Sequence, residues 1–284
     1  MIQKRDFMPT IISTIKTTYY SDADTICAFW WESKNWGDAL NPVLIQLLSG
    51  KRPIIINKYT LNIRRRPVYA VIGSILDSIP DRSIKNTIIW GPGFIQKSGK
   101  LPGEPGQVCA VRGPLSRDNI IKQGIKCPDV FGDPALLYPR FYKPDIHTRH
   151  LLGIIPHYKD KENENVRRFK NLPEVKIIDI ENSINNVIDQ VCSCRYIASS
   201  SLHGIIMADA YKIPSTWLEF SEGVAGSGFK FRDYFASVGK TDVTPLKVDN
   251  KTTIDDIISS MYNKKINIDL DELIDACPFY SKDN

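Results

Sequence analysis

The sequence has no apolar run of the roughly 18 residues that a membrane-spanning helix requires, because Gly, Pro or charge interrupts every apolar segment. Its first twenty residues lack a continuous apolar core followed by a small-residue cleavage site, so no signal peptide is predicted. Cysteine is also scarce. Of six Cys, the one close pair, Cys192 and Cys194, lacks the spacing of zinc motifs. We therefore expect a cytoplasmic protein with buried free thiols.

A strong charge of one sign is absent as well. The 284 residues contain 37 Lys and Arg against 32 Asp and Glu, a formal net charge of +5. This excess is too small and too dispersed to indicate nucleic-acid binding, but it suits an anionic small molecule or a negatively charged membrane surface. With 42% hydrophobic residues and neither repeats nor low-complexity tracts, the chain is long enough for one large or two medium domains.

Short Ile- and Val-rich runs alternate with helical patterns, which predicts parallel sheets covered by helices, an α/β fold. Apolar runs predict strands over residues 25–30, 53–56, 68–72, 87–90, 107–111, 151–156, 175–180, 196–199 and 215–219. Helical spacing covers residues 39–48, 116–123, 253–263 and 270–276. A Pro-rich, aromatic and basic stretch over 138–150 resembles a linker. We therefore predict two domains, 1–145 and 146–284, with the terminal helices packing on one half or bridging both.

Ligands of open α/β sheets bind beyond the carboxyl ends of the strands, so the residues after each predicted strand are candidates for a site. The first such junction is Asn35-Trp36-Gly37-Asp38, where Gly37 permits a tight turn and Asp38 can cap a helix that faces an anion. A plain capped turn is an equally good interpretation. Glycine turns at 71–74 and 90–94 would also let the backbone approach a ligand closely.

Arg112 follows a strand directly and precedes Gly113-Pro114, which predicts a helix start. A guanidinium at that position suits a bidentate grip on phosphate or carboxylate. The alternative is an Arg on a solvated rim that pairs with an acidic residue.

A hydroxyl-rich loop, Ser199-Ser200-Ser201, ends another predicted strand, and His203 falls in the first turn of the helix that follows. The serines can cap that helix and donate hydrogen bonds to phosphate oxygens. The positive end of the helix lowers the pKa of a nearby His, which favours a neutral base. His203 is therefore the candidate for acid–base catalysis, although a lone His is more often structural. The other histidines, 147, 150 and 157, do not have metal-binding spacing.

Two basic segments could contact a substrate. The stretch 222–228 leads into 229–234, which contains Lys230 and Arg232 and is interpreted as either a lid or a surface loop. Arg64 and Arg65 lie in a basic run within 58–66 that could contact an acceptor diphosphate or an anionic leaflet, or form a solvated turn.

At this point the sequence resembles the polysaccharide pyruvyl transferase family, which includes enzymes that place pyruvate ketals on bacterial exopolysaccharides. Five segments carry the resemblance, and their order makes it specific: NWGDALNPVLIQLLSG, WGPGF, VRGPLSRDNIIKQG, FGDPALLYP and SSSLHGIIMADAYKIPS. The resemblance implies two Rossmann-like domains in a GT-B-like arrangement, with the active site in the cleft between them.

The resemblance also implies phosphoenolpyruvate as donor, a sugar that is often lipid-linked as acceptor, Arg112 as a donor ligand and His203 as the catalytic His. Many members have Arg two residues before the His, where this chain has Ser201. Lys230 or Arg232 would then supply the missing cation.

The expected reaction is transfer of a carboxyethylidene group to two sugar hydroxyls, with neither metal nor cofactor. His203 and Asp38 are the expected catalytic residues, and Arg112, Ser199, Ser200, Ser201, Lys230 and Arg232 the donor ligands. We expect the acceptor to contact Asn35, Trp36, Trp90, Arg64 and Arg65. A polyprenyl-diphosphate-linked acceptor would bring the protein to the inner face of the plasma membrane. The alternatives are a nucleotide-sugar glycosyltransferase and a non-catalytic glycan-binding relative.

Overall fold

The structure is a computed structural model that describes residues 23–280 except 61, 63, 222–225 and 263. The first twenty residues, for which no signal peptide is predicted, lie outside the described residues. So do residues 222–225, in the stretch predicted to lead into a lid or surface loop. The described chain forms an α/β fold around two five-stranded sheets, and every neighbouring pair of strands in both sheets is parallel. The predicted α/β class is therefore confirmed.

The first sheet has the order β2-β1-β3-β4-β5 and the second the order β10-β9-β8-β6-β7. The strands of the first are β1 Thr25–Phe29, β2 Arg52–Ile55, β3 Val68–Ala70, β4 Thr87–Trp90 and β5 Gln107–Ala110. Those of the second are β6 His150–Ile155, β7 Val175–Ile177, β8 Cys194–Ser199, β9 Ser215–Glu219 and β10 Leu246–Lys247. Every residue of β1 is buried, as expected for a central parallel strand covered on both faces.

Eight α-helices are present in the described residues. They are α1 Trp36–Ser49, α2 Pro114–Ile121, α3 Glu164–Lys170, α4 Ile184–Cys192, α5 Leu202–Ala210, α6 Phe229–Ser237, α7 Ile254–Ser259 and α8 Leu270–Asp275. Short 3₁₀ helices cover Leu76–Ser78, Ile84–Asn86 and Pro134–Arg140. Asn35 begins α1 by accepting a hydrogen bond from the amide of Gly37, and Gly50 ends it in the left-handed conformation.

The segment predicted as a lid or surface loop is instead the helix α6, so that interpretation is wrong for the described residues. Its Phe229, Phe231 and Tyr234 are buried, and Trp217 of β9 stacks on Phe231 with ring centroids 4.4 Å apart. The aromatic and charged residues of 229–234 do not show a helical period in the sequence. Contact with Trp217 is what buries the aromatic face of α6. The short edge strand β10 was not predicted either.

The two terminal helices pack on different halves of the molecule. Ile257 of α7 belongs to the core of the second sheet. By contrast, the Leu273 carbonyl of α8 accepts a 2.8 Å hydrogen bond from Trp90 Nε1 at the end of β4. Phe279 then packs edge-on against Trp90 and Tyr69, with centroids 5.6 and 5.0 Å away. The end of the described chain therefore returns to the first half.

No helix of the described residues is long and apolar enough to cross a membrane. Within the same residues, no group of three or more His, Cys, Asp or Glu side chains is placed to hold a metal ion.

Candidate active site

A cavity of about 490 Å³ is lined by residues that follow the carboxyl ends of strands from both sheets. The first half contributes Trp31, Glu32, Ser33, Asn35, Asp38, Ser74 and Ile95. The second half contributes His157, Tyr158, Lys159, Glu181, Ser201, Leu202, His203 and Lys230. This is the position at which parallel α/β sheets bind ligands, so it is the candidate active site.

His203 lies in the first turn of α5, and its Nδ1 is 2.8 Å from Oδ1 of Asn35. The same Asn35 oxygen accepts a hydrogen bond from the amide of Gly37, which identifies that atom as the acceptor. Nδ1 of His203 must therefore donate, and the lone pair of the ring lies on Nε2. Asn35, expected to bind the acceptor, instead fixes the tautomer of the histidine.

Gly37 is the residue that lets the His203 ring approach α1. A Cβ at this position would lie 2.3 Å from three atoms of the imidazole, too close for any side chain. Burial, together with the positive charges of Lys230 and Arg112, lowers the pKa of His203 to about 3. His203 is therefore neutral at physiological pH and presents a proton acceptor.

Lys230 is the cation that α6 brings into this cavity. Burial lowers its pKa to about 8, with Arg112 contributing and Asp38 opposing the shift. No ion pair of Lys230 is present among the described residues. A desolvated cation with no paired carboxylate suits an incoming anion.

Asp38 also lines the cavity, where its Oδ2 accepts a 2.6 Å hydrogen bond from the Ser33 hydroxyl. Burial raises the pKa of this carboxyl, while Ser33 and Lys230 oppose the shift. Asn35, and not Asp38, forms the hydrogen bond to the His203 ring.

The three serines after β8 have different positions. The Ser199 hydroxyl lies 2.9 Å from each of the carbonyl oxygens of Ile155 and Ser201, which share its one proton. That of Ser200 donates to the buried Asp160 carboxylate at 3.1 Å. Only Ser201 lines the cavity, and α5 begins there without a side-chain cap. The Ser201 amide donates to Ser199 Oγ and the Gly204 amide to the Ser201 carbonyl, which leaves the amides of Leu202 and His203 to face an anion. Ser199 and Ser200 stabilise the loop.

Arg112 is completely buried and lies behind the cavity wall. Its Nε and Nη2 contact Asp233 Oδ2 at 3.0 and 2.8 Å, and Nη1 donates to the Ser74 hydroxyl at 2.7 Å. Nη2 also donates to the Phe94 carbonyl at 2.7 Å. Since all three nitrogens have protein partners, Arg112 acts on the cavity through its charge and through Ser74 in this structure. Its side chain does not line the cavity, so the structure does not place it for the predicted direct contact with the donor.

The partner of Arg112, Asp233, comes from α6 in the other half. Its Oδ1 accepts a 2.8 Å hydrogen bond from the amide of Ser116, in the first turn of α2. Gly113, the N-cap residue of α2, has no side chain, so Asp233 supplies the cap from the other half. A Cβ at Gly113 would lie 2.0 Å from the Asp233 carbonyl oxygen. Gly113, at the start of α2, therefore allows the backbone of α6 to pack closely against the first half.

The remaining predicted residues lie away from the cavity. Trp36 and Trp90 are completely buried in the core, so neither offers a ring face to a sugar, and these two assignments are corrected. Arg232 is exposed on α6, and its guanidinium donates to the Ser227 carbonyl. Arg64 and Arg65 precede β3 at the amino edge of the first sheet, which is opposite to the cavity.

Sequence reasoning missed His157, Tyr158, Lys159 and Trp31. The first three lie two to four residues after the end of β6, whereas, from the sequence, His157 is considered only for metal binding. The backbone amide of Lys159 donates to Nδ1 of His157 at 3.3 Å, so the ring proton of this neutral His lies on Nε2. Burial lowers the pKa of His157 to about 4. Applying the strand-end rule to β6 would have found it.

The chain is similar to known proteins over most of its length. It is 31% identical over 219 residues to the uncharacterized protein L143 of Acanthamoeba polyphaga mimivirus, an alignment that covers 72% of this chain and 71% of that protein. It is 25% identical over 223 residues to the succinoglycan biosynthesis protein ExoV of Rhizobium meliloti (strain 1021), covering 75% of this chain and 65% of that protein.

A family model described as polysaccharide pyruvyl transferase matches residues 35–222. The match is longer than half of the chain, and it begins at Asn35 and includes the Arg112 and His203 segments. The resemblance inferred from five sequence segments is confirmed. The chain belongs to the polysaccharide pyruvyl transferase family.

Proposed function

We propose that the protein transfers the carboxyethylidene group of phosphoenolpyruvate to two hydroxyls of a sugar, in a bacterial surface polysaccharide or its lipid-linked precursor. The product is a pyruvate ketal. The observation that carries this proposal is the neutral His203, whose Nδ1 is held by Asn35, in one cavity with Lys230 and the uncapped start of α5. The two domains would act in a GT-B-like arrangement, with the cavity as the cleft between them.

The donor is small and strongly anionic, with a carboxylate and a phosphate whose second pKa is near 6. Lys230 and the amides of Leu202 and His203, in the first turn of α5, are the groups that suit it. Lys230 thereby replaces the Arg that many family members have at the position of Ser201. Arg112 adds positive potential from behind Ser74.

Ketal formation needs proton transfers that a neutral His can perform. His203 Nε2 takes the proton of the first sugar hydroxyl and delivers it to C3 of the enol phosphate, so that C2 becomes electrophilic and the hydroxyl oxygen bonds to C2. The bond from C2 to the phosphate oxygen then breaks, and the second hydroxyl closes the ring at C2. Of the two hydroxyl protons, one ends on the new methyl group and the other on phosphate. The anionic donor raises the pKa of His203 on binding, which helps it accept a proton.

No metal or cofactor takes part in this scheme. The alternative of a nucleotide-sugar glycosyltransferase is less favoured because the family assignment points to pyruvyl transfer. A non-catalytic glycan-binding relative would not require a histidine with a fixed tautomer beside an unpaired lysine. We further propose that the protein works in the cytoplasm. Because Arg64 and Arg65 lie at the opposite edge of the sheet, an acceptor diphosphate would have to reach the cavity without them.

The test is incubation with phosphoenolpyruvate and galactose-, glucose- or mannosamine-type oligosaccharides. We expect release of phosphate together with an acid-labile carboxyethylidene group on the sugar. His203→Ala should lower kcat by about 10²- to 10⁴-fold, because it removes the proton acceptor. His147, which is exposed and outside the cavity, provides the matched control His147→Ala. Absence of phosphate release with all acceptor types, or equal activity of the two variants, would contradict the proposal.

A further inference from the structure

Two exposed aromatic side chains lie at the mouth of the candidate active site. Trp31, two residues after β1, is 51% exposed, and Tyr158, three residues after β6, is 49% exposed. Both line the cavity, and they come from different halves of the molecule. Tyr59, an aromatic residue of similar exposure, does not line the cavity. Exposed aromatic rings beside a cavity mark a binding surface.

Each of these rings is supported by an aromatic neighbour. The centroid of Trp31 is 6.2 Å from that of Phe29, which is buried at the end of β1. Tyr158 lies 4.3 Å from the ring of His157, with an angle of 34° between the ring planes. The buried neighbours restrict the two rings while about half of each side chain stays open. A restricted ring loses little conformational entropy when a ligand stacks on it.

The charges around the rings have both signs. Glu32 and Lys159 are exposed at the mouth, and Glu181 is partly exposed there and already pairs with Lys161. Deeper in the cavity, by contrast, Lys230 is a cation without an ion-pair partner in the described part of the chain. The mouth thus gives no net attraction to a polyanion, but its carboxylates and amine can hydrogen-bond to hydroxyls.

From these observations we infer that Trp31 and Tyr158 form an acceptor subsite for a neutral pyranose, with the apolar face of the sugar stacked on the rings. Glu32 and Glu181 would accept hydrogen bonds from its hydroxyls. The inference rests on the proposed function for the direction of transfer, since the stacked sugar would point its reacting hydroxyls at His203. It moves the aromatic acceptor contact from the buried Trp36 and Trp90 to side chains that are accessible.

The kinetic test uses Trp31→Ala and Tyr158→Ala in the full chain, with Tyr59→Ala as the matched control. Each of the first two should raise KM for a neutral oligosaccharide about tenfold, as expected for loss of an aromatic anchor. The KM for phosphoenolpyruvate should stay within twofold, because that donor binds deeper. A parallel rise in both KM values, or an equal effect of Tyr59→Ala, would overturn the inference.

A binding measurement separates this inference from the proposed function. A galactose- or glucose-type oligosaccharide should protect the exposed Trp31 from acrylamide quenching of tryptophan fluorescence, with or without phosphoenolpyruvate. This protection should be lost in Trp31→Ala and weakened in Tyr158→Ala. Protection without any pyruvyl transfer would refute the proposed function and leave the subsite standing. If neither sugar protects the wild-type protein, or if protection persists in Trp31→Ala, the subsite is refuted.

Discussion

Arg112, which is completely buried, and Lys230, which is partly buried, are two cations near the same cavity, and they differ in their partners. Arg112 is completely buried, and its guanidinium contacts Asp233, Ser74 and the Phe94 carbonyl. Lys230 lies in the cavity and has no ion pair among the residues that the structure describes. The first charge is paired within the protein, while the second lies 5.7 Å from the Phe231 ring centroid and faces the cavity without a carboxylate partner in the described residues.

The difference separates a charge that is fully paired within the protein from one that we propose binds the donor. A buried ion pair with complete hydrogen bonding fixes how two segments meet, and removing one partner leaves an uncompensated charge. A desolvated cation without such a pair has a lowered pKa, which is a cost that ligand binding can offset. Since Lys230 and Asp233 are three residues apart on α6, the Arg112 pair also positions the helix that carries Lys230.

The strongest way to break this comparison is Asp233→Ala. The substitution leaves Arg112 buried without its carboxylate and removes the cap of α2, so the free energy of unfolding should fall by about 3–5 kcal/mol. Urea denaturation followed by circular dichroism measures this change. The activity of the folded fraction should also fall, because α6 is no longer fixed.

Asp271→Ala is the control for that substitution, because Asp271 forms a 2.7 Å ion pair with Arg140 at an exposed position. Its loss should change the free energy of unfolding by about 1 kcal/mol or less. Equal stability of the two variants would show that the Arg112 pair has no structural role.

Lys230→Gln should impair donor binding without lowering stability, the reverse of what is expected for Asp233→Ala. We expect KM for phosphoenolpyruvate to rise about 10- to 100-fold, because a charge-assisted hydrogen bond to the donor is lost. The free energy of unfolding should stay the same or rise, since a desolvated charge is removed. Steady-state kinetics and urea denaturation measure the two effects.

Arg232→Gln tests the same helix two residues further along, at an exposed position outside the cavity. It should leave KM for phosphoenolpyruvate within about twofold of wild type, as for most surface substitutions. If Arg232→Gln raised KM for phosphoenolpyruvate more than Lys230→Gln does, Lys230 would not be the cation that binds the donor.

The smallest expected effect is a pH dependence. Burial lowers the pKa of Lys230 to about 8, so its amine is charged below that pH and neutral above it. The value of kcat/KM for phosphoenolpyruvate should therefore decline above pH 8, at most tenfold per pH unit. His203 and His157, with pKa values lowered to about 3 and 4, stay neutral from pH 5 to 9 and add no inflection there.

Measuring the profile from about pH 7 upward avoids the second ionisation of the donor phosphate, near 6. The inflection should be absent in Lys230→Gln, where no amine titrates. The same decline in both proteins would mean that another group controls donor binding.

Much of the fold could be predicted because parallel strands buried on both faces leave a clear apolar signal. Nine of the ten described strands follow predicted runs, and their ends differ by a few residues. The helix α6 could not be predicted from a pattern of aromatic and charged residues. Its buried face is defined by Trp217 and α2, which are distant in the sequence.

The candidate site was predicted in part, for a related reason. His203, Asp38, Ser201 and Lys230 lie in the cavity because strand ends and helix starts are visible in the sequence. The partners of a side chain are not visible. The position of Arg112 after a strand gives no sign that Asp233 pairs with it, and the position of Trp36 or Trp90 before a Gly gives no sign of its burial.

The sequence by itself determined the α/β class, the family and the candidate catalytic histidine, since these depend on local periodicity and on segments of contiguous residues. The tertiary structure decided the tautomer of His203, the internal pairing of Arg112 and the exposure of Trp31 and Tyr158. Each of these depends on residues that are far apart in the chain and meet only when the two halves pack. Ionisation and accessibility follow from those contacts, so only the folded structure fixes them.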